Sequence, residues 1–356
     1  MEKLYSKMKI FHYKEKLDSL AKDTENITGP IHIRIKPTNI CAHHCVYCAY
    51  RSDNLQLGKD MSRKDSIPRE KMLEIIDDCE KMGVRAITFS GGGDPFYYPH
   101  LFETVTKLSA TSIKFAALTN GSRLKGDLAE IFAEHGAWLR VSIDGWDDES
   151  YSKYRGVRNG EFTNVMNNIA AFKKLRGACY IGGVIIVNNA NFNHIFELTS
   201  RLKNVGANTV KISPCIVGDN GPKNNEYHKV FYEQAKEQIR KATEELLEPG
   251  FEIYDSYHLL EEKFNKDYRW CPYLQILPVI GADCNVYSCQ DKAYNFNGGL
   301  LGCIKNQRFM DFWFEDKSRF YKIDPLKHCD HHCVSNDKNK FIIDYLETDN
   351  GHMAFV

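Results

Sequence analysis

The sequence predicts an α/β protein built on a partial (β/α)6 TIM-like barrel, followed by a small C-terminal domain that is rich in cysteine. Two observations support this fold. Short β-rich runs alternate with longer helical patterns over roughly the first 250 residues, and the pattern changes after about Arg269. Strands that alternate with helices form βαβ units, which pair into a parallel sheet. In a barrel of this kind the functional residues lie at the carboxyl ends of the strands.

Six β-rich runs predict the strands of the barrel, at residues 31–35, 86–90, 113–118, 138–143, 180–187 and 209–213. Helical patterns lie between or after them, at residues 69–82, 126–135, 165–175, 193–205 and 220–248. We therefore expect an N-terminal extension over residues 1–27, the barrel over residues 28–250 and the C-terminal domain over residues 251–356.

The C-terminal domain is predicted to contain a β-hairpin. Residues 276–280 and 284–288 are β-rich, and the segment Gly281-Ala282-Asp283 separates them. Glycine and aspartate between two apolar runs are typical of a hairpin turn. Cysteines are dense from this hairpin to Cys333, so we expect the domain to bind a metal or a cluster.

Charge and composition exclude several classes of partner. The chain has 356 residues and a formal net charge of zero, which gives no basic surface for nucleic acid. Its apolar runs are too short to span a bilayer, and its charged N-terminus lacks the apolar region of a signal peptide. We expect a cytoplasmic protein without a nucleic-acid or membrane partner. Thiols stay reduced in that compartment, so the twelve cysteines indicate metal or cluster binding rather than disulfides.

Three cysteines, Cys41, Cys45 and Cys48, follow the first predicted strand within eight residues. Three thiolates can hold three corners of a [4Fe-4S] cluster and leave the fourth iron open, whereas an electron-transfer cluster usually has four cysteine ligands. An open iron can bind a substrate or a cofactor. The alternative is a zinc ion held by the three thiolates with His43 or His44.

The pattern Cys-x3-Cys-x-aromatic-Cys, with Tyr47 as the aromatic residue, resembles that of the radical S-adenosylmethionine (SAM) superfamily. The resemblance extends over roughly residues 30–215, because later motifs follow later predicted strands. Residues 91–94, Gly-Gly-Gly-Asp, resemble a Gly-Gly-Glu motif whose backbone holds the amino group of SAM, with Asp94 in place of glutamate. The cofactor-binding positions that the resemblance implies are Tyr47, Gly91, Gly92, Gly93, Asp94, Asn120, Ser142, Asp144, Arg155 and Val187.

A second set of cysteines, Cys271, Cys289, Cys329 and Cys333, resembles the ligands of a twitch domain, the half-length relative of the SPASM domain in radical SAM enzymes. Four thiolates would close a second, auxiliary [4Fe-4S] cluster. Zinc is the alternative here too. Two further cysteines of this domain, Cys284 and Cys303, are either additional ligands or small buried residues.

The resemblance implies a chemistry and a set of partners. Cleavage of SAM at the open cluster gives a 5′-deoxyadenosyl radical, which abstracts hydrogen from a substrate C–H bond, and a flavodoxin- or ferredoxin-type protein supplies the electron. We expect a dehydrogenase of a small molecule, such as a sugar or an aminocyclitol, with the auxiliary cluster as electron acceptor. One alternative is an epimerase in which Cys215, after the sixth predicted strand, donates a hydrogen atom. The others are modification of a peptide and, from another class, an iron–sulfur scaffold or sensor.

Overall fold

The computed structural model describes residues 5–22, 25–260, 264–349, 351–352 and 355. Within these residues, ten strands form one mixed sheet in the order β10-β9-β8-β1-β2-β3-β4-β5-β6-β7. The strands are β1 (His32–Ile35), β2 (Ala86–Phe89), β3 (Lys114–Thr119), β4 (Trp138–Ser142), β5 (Tyr180–Val187), β6 (Thr209–Pro214), β7 (Glu252–Asp255), β8 (Val279–Ile280), β9 (Asn285–Tyr287) and β10 (Leu300–Cys303).

Helices connect most of these strands. In chain order they are α1 (Lys14–Asp18), α2 (Arg69–Lys81), α3 (Leu101–Ser109), α4 (Asp127–His135), α5 (Asp148–Arg155), α6 (Glu161–Lys174), α7 (Ile195–Asn204), α8 (Gly221–Lys229), α9 (Tyr232–Leu246), α10 (Phe309–Glu315), α11 (Pro325–His328) and α12 (Asn336–Leu346). In the described part of the chain, no helix is both long and apolar enough to cross a membrane.

The two faces of β1 differ in chemistry. Ile33 and Ile35 are fully buried in the main hydrophobic core, which the sheet and its helices share. The alternating positions, His32, Arg34 and then Lys36 beyond the strand end, share the opposite face because successive side chains of a strand point to opposite sides. A basic stripe therefore runs along the interior face of this strand and ends beside the cysteine loop.

Strands β1 to β7 are parallel, each paired with the next in sequence. Their carboxyl ends consequently lie on one side of the sheet. The six predicted strands and the partial barrel are confirmed. The seventh parallel strand, β7, lies beyond the six that the sequence predicts, because only its four residues carry the β pattern.

The predicted hairpin is confirmed as β8 and β9, which are antiparallel. Strand β8 also pairs in parallel with β1, with Arg34 opposite Val279 and Ile35 opposite Ile280. The hairpin therefore extends the barrel sheet instead of forming a separate layer. The expected boundary between residues 250 and 251 stays a prediction, since the sheet continues through β7 on one edge and through β8 on the other.

Candidate cluster and cofactor sites

The first cysteine loop follows β1 and is fixed to the end of α5. The backbone N–H of His44 donates to the carbonyl oxygen of Arg155 at 2.8 Å, and that of Val46 donates to Tyr154 at 3.1 Å. Gly156 ends the helix with φ +58°, and a Cβ there would lie 2.9 Å from the Cβ of His44. Only glycine fits both the left-handed backbone and this close approach. The end of α5 thus supports the loop that carries all three thiols.

The sulfurs of this loop face hydrogen-bond donors. The backbone N–H of His43 and the side-chain Nδ2 of Asn120 lie 3.4 and 3.8 Å from the Sγ of Cys41. Nη1 of Arg155 lies 3.6 Å from the Sγ of Cys45. Burial raises the pKa of the Cys41 thiol to about 11, so a metal or cluster must displace its proton on binding. Donors placed against sulfur are suited to the thiolates of an iron–sulfur cluster.

The spacing of the thiols does not match a single metal ion. Tetrahedral zinc with thiolate ligands holds the sulfurs about 3.8 Å apart. In the described part of the chain, one group of three metal-ligating side chains has its ligand atoms all within 4.8 Å of one another. This group is Asp291, His331 and Cys333. Neither predicted cysteine set is drawn together to that extent among the described residues.

The glycine loop after β2 packs directly against the segment that leads to the cysteines. The backbone N–H groups of Gly93 and Asp94 donate to the carbonyl oxygens of Thr38 and Ile40, at 3.0 and 2.9 Å. A Cβ on Gly93 would lie 2.1 Å from the carbonyl oxygen of Ile40. Glycine is therefore required here for packing alone, before any ligand binds.

Asp94 uses its carboxylate within the protein. It is 4% exposed and accepts hydrogen bonds from the backbone N–H of Phe96, the hydroxyl of Thr119 and the backbone N–H of Asn120, at 2.9, 3.0 and 2.6 Å. It links the glycine loop to the end of β3, where Asn120 faces Cys41. A direct contact between Asp94 and SAM stays a prediction.

Asp144, Arg155 and Tyr47 form a buried polar group at the end of β4. One carboxylate oxygen of Asp144 accepts hydrogen bonds from the Tyr47 hydroxyl and from Nη2 of Arg155, and the other accepts one from the backbone N–H of Ile186 at 2.7 Å. Nε of Arg155 is buried without a partner. Since burying an unpaired guanidinium N–H costs free energy, this free donor fits an anionic group such as the carboxylate of SAM.

Three other predicted residues lie at the carboxyl ends of their strands. Ser142 ends β4 on the same face as Arg140, towards the interior. Val187 ends β5 with its side chain fully buried in the main core, so only its backbone can face a ligand. Cys215 follows β6; its carbonyl oxygen accepts a hydrogen bond from Nε2 of His228 at 2.8 Å. Burial raises the pKa of the Cys215 thiol to about 12, so this thiol keeps its proton at neutral pH.

The second set of four cysteines lines one cavity in the C-terminal part of the chain. Cys271 and Cys289 flank the β8–β9 hairpin, and Cys329 and Cys333 come from the segment after α11. Nδ2 of Asn339 lies 3.4 Å from the Sγ of Cys271. Four thiols from distant parts of the sequence in one cavity make a complete ligand set for a closed cluster.

The two remaining cysteines of this domain do not line that cavity. Cys284 is buried and has a φ of +62°, at the hairpin turn. Cys303 ends β10 and is exposed, so the expectation that it is a small buried residue is wrong. On an edge strand that pairs on one side only, this side chain points to solvent.

Several charged residues around the two sites were not predicted from the sequence. Arg34, Lys266, Asp291, Lys292 and His331 line the cavity of the four cysteines. Lys36 is fully buried; its Nζ donates to the carbonyl oxygen of Gly91 at 2.7 Å and to the hydroxyl of Tyr50, which joins the glycine loop to the cysteine loop. The sequence does contain a pattern that predicts basic residues on one face of β1: basic residues alternate with isoleucine at positions 32–36.

Comparisons with known proteins agree with this geometry. The family model described as the radical SAM superfamily matches residues 35–199. An AdoMet-dependent heme synthase of Methanosarcina barkeri is 24% identical over 204 residues, which cover 55% of this chain and 56% of that protein. A probable GTP 3′,8-cyclase of Methanosarcina mazei is 27% identical over 176 residues, which cover 48% and 49%. The chain spans about half the length of these curated relatives.

Two solved structures share the fold over most of the chain. Streptococcus suis SuiB, bound to its precursor peptide SuiA, has a TM-score of 0.64 at 16% identity and covers 94% of this chain and 79% of its own. The protein anSMEcpe, with bound AdoMet, has a TM-score of 0.62 at 17% identity and covers 89% and 96%. The likeness includes the C-terminal domain as well as the barrel, in agreement with a SPASM/twitch-type architecture.

Proposed function

The domain at residues 35–199 belongs to the radical SAM superfamily, and we propose from this that the protein is a SAM-dependent dehydrogenase of an alcohol or amine carbon. A sugar or an aminocyclitol is the class of substrate we expect. Cys41, Cys45 and Cys48 are the proposed ligands of the cluster that binds SAM, and Cys271, Cys289, Cys329 and Cys333 those of the auxiliary cluster.

When bound and reduced, the first cluster and SAM supply a 5′-deoxyadenosyl radical by one-electron cleavage of the sulfonium. The substrate carbon loses one hydrogen atom to this radical, and then one proton and one electron. An alcohol thereby becomes a carbonyl compound, and SAM becomes methionine and 5′-deoxyadenosine. The electron requires an acceptor, for which the cavity of the four cysteines is the candidate site.

One observation carries this proposal: the cavity of the four cysteines shares a wall with the barrel. Arg34 lies on β1, the strand that leads to the first cysteine loop, and it also lines the second cavity. Strand β8, which ends the segment after Cys271, pairs directly with β1. An electron acceptor placed here adjoins the barrel that contains the substrate.

The chain's own residues bind and orient the reactants in this proposal. Asp144 holds Arg155 in place, which leaves Nε of Arg155 for the carboxylate of SAM. Asp94 fixes the glycine loop, and the end of α5 fixes the cysteine loop. Pre-arranged donors of this kind lose little freedom on binding, so they favour one orientation of the cofactor.

Product analysis tests the proposal. The anaerobically reconstituted protein is incubated with SAM, a reductant and a panel of sugars and aminocyclitols deuterated at their alcohol or amine carbons. We expect equal amounts of 5′-deoxyadenosine and of a product that has lost two hydrogen atoms, with deuterium transferred to 5′-deoxyadenosine. Deuterium transfer without an oxidised product would contradict dehydrogenation.

An epimerase is the second candidate, and Cys215 is the observation that favours it. A hydrogen-atom donor must hold an S–H bond near the substrate carbon, and Cys215 follows β6 at the carboxyl end of the parallel sheet, where its N–H donates to the carbonyl oxygen of Val187 at 2.9 Å. In deuterated water an epimerase places deuterium at an inverted carbon, and Cys215→Ala abolishes that product. Under dehydrogenation, Cys215→Ala leaves the oxidised product intact.

A peptide substrate is the third candidate. SuiB is solved with a precursor peptide, and anSMEcpe is solved with a peptide called Kp18Cys. A mass change in a peptide of the same gene neighbourhood, dependent on SAM, would favour this candidate over both others.

A further inference from the structure

Three basic side chains line the cavity of the four cysteines: Arg34, Lys266 and Lys292. Nζ of Lys266 donates to the carbonyl oxygen of His331, and Nζ of Lys292 donates to Oε1 of Gln56 and to the carbonyl oxygen of His328, both at 2.8 Å. In the part of the chain that the structure describes, none of the three basic groups lies within 4.0 Å of a carboxylate oxygen.

Arg34 is the clearest example of a basic side chain that lacks a carboxylate partner in this cavity. Its Nε is buried and has no hydrogen-bond partner. Burial lowers the pKa of its guanidinium, because removing a positive charge from water costs free energy. A buried cation with no carboxylate in direct contact is unfavourable, so a further negative group is expected in the space that Arg34 faces.

One carboxylate offsets part of this positive charge. Asp291 lines the same cavity, and its Oδ2 lies 3.8 Å from Nε2 of His331. Among the described residues that line this cavity, the three basic groups exceed the single carboxylate by two formal charges. An oxidised [4Fe-4S] cluster with four thiolate ligands carries two negative charges, because its core is doubly positive. The charges in the cavity wall and those of the proposed cluster therefore balance.

The first cysteine site differs because carboxylates lie close to it. Arg155, the basic residue that contacts Cys45, is paired with the carboxylate of Asp144. The buried carboxylate of Asp94 also lies close enough to raise the pKa of Cys41, after burial as the larger cause. The two proposed clusters consequently sit in different electrostatic surroundings.

We propose that Arg34, Lys266 and Lys292 raise the reduction potential of the auxiliary cluster and so make it the electron acceptor of the reaction. This inference rests on the proposed function, since it needs a cluster in the cavity. Reduction adds one negative charge, and a buried cation stabilises that charge more than it stabilises the oxidised form. The donor Asn339, against the sulfur of Cys271, acts in the same direction. The three basic residues act through the cluster and need no contact with the substrate.

A redox titration tests the inference on the full-length chain. Cys41, Cys45 and Cys48 are replaced by alanine, so that only the auxiliary cluster contributes to the electron paramagnetic resonance signal. Arg34→Gln is compared with Arg34→Lys, which keeps the charge. We expect Arg34→Gln to lower the equilibrium constant for one-electron reduction at least tenfold, which is about 59 mV in midpoint potential. Arg34→Lys should stay near the parent value.

The possible outcomes separate this inference from the proposed function. Equal midpoint potentials in the parent, Arg34→Gln and Arg34→Lys proteins, at full iron content, would overturn the inference alone. A parent protein that binds no iron would instead overturn the auxiliary cluster and the proposed function with it. If Arg34→Gln does not assemble a cluster, Lys292→Gln is titrated with the same expectation, and an unchanged potential there overturns the inference.

Discussion

The carboxylate of Asp94 accepts a hydrogen bond from the backbone N–H of Asn120, with 2.6 Å between Oδ2 and the nitrogen. This bond joins the loop after β2 to the end of β3. It places the side-chain amide of Asn120 3.8 Å from the sulfur of Cys41. Two motifs that are distant in sequence are thereby brought to one cysteine, which is the arrangement that a cofactor bound at an open iron requires.

Asp94→Ala is expected to loosen both motifs. The substitution leaves the N–H groups of Phe96 and Asn120 and the hydroxyl of Thr119 without their buried acceptor, which costs about 3 kcal/mol of stability. We expect SAM affinity to fall at least tenfold, measured by equilibrium dialysis of the reconstituted protein. Asp77→Ala is the control, because that carboxylate is 44% exposed and forms a surface ion pair with Lys107 at 2.5 Å. Wild-type SAM affinity in Asp94→Ala would contradict this linking role.

Arg155→Lys keeps the positive charge but is expected to lower both the stability of the protein and the formation of 5′-deoxyadenosine. Lysine cannot keep both the bond to Asp144 and the donor against Cys45, since its single ammonium lacks the planar fork of arginine. Weakening a buried ion pair costs several kcal/mol, up to about 3–5 when one partner is lost. Thermal unfolding and 5′-deoxyadenosine formation measure the loss. The matched change Arg201→Lys, at an exposed pair with Glu197, should leave both unchanged.

Stability should depend on pH through His228. This side chain is fully buried; its Nε2 donates to the carbonyl oxygen of Cys215, and its Nδ1 accepts from the hydroxyl of Tyr257 at 3.1 Å. Burial lowers the pKa of His228 below its usual value. The unfolded chain therefore takes up a proton near pH 6.5 that the folded chain refuses, and stability falls as the pH drops through that value.

His228→Gln tests this dependence. Between about pH 6.5 and 5 the wild type should lose stability more steeply than the variant, by at most about 1.4 kcal/mol per pH unit. Denaturant unfolding of both proteins over this range gives the two slopes, and the acid sensitivity of the clusters cancels in their difference. Parallel slopes would show that His228 takes up its proton equally in both states.

Cys284 and Cys303 should be dispensable for cluster binding. Neither lines the cavity of the four cysteines, and Cys303 is exposed. We expect Cys303→Ser and Cys284→Gly to keep the full iron and sulfide content, and glycine also suits the positive φ at position 284. A loss of about four iron atoms in either variant would contradict this expectation and make that cysteine a cluster ligand.

The barrel could be predicted from the sequence because its strands are apolar and β-rich and its helices separate them. Strand β7, at Glu252–Asp255, escaped prediction because its four-residue β pattern is short, and its pairing with β6 is a tertiary contact. The first cysteine set could be proposed from spacing, since a loop fixes Cys41 to Cys48 locally, whereas the second was proposed from its resemblance to a twitch domain. The charges of Arg34 and Lys266 in the cavity wall could not be predicted, because β1 must fold against the C-terminal part of the chain before the two residues meet. The hydrogen bond between Asp94 and the backbone N–H of Asn120 could not be predicted either, because it also forms only when distant segments pack together.

Iron and 5′-deoxyadenosine, measured on two sets of cysteine variants, test the central claim most directly: one cysteine set starts the radical and the other only accepts an electron. We expect about eight iron atoms per chain in the reconstituted wild type. Replacing Cys41, Cys45 and Cys48 by alanine should leave about four and abolish 5′-deoxyadenosine. Replacing Cys329 and Cys333 should also leave about four but keep the cleavage of SAM. Continued 5′-deoxyadenosine formation in the first variant would contradict the account.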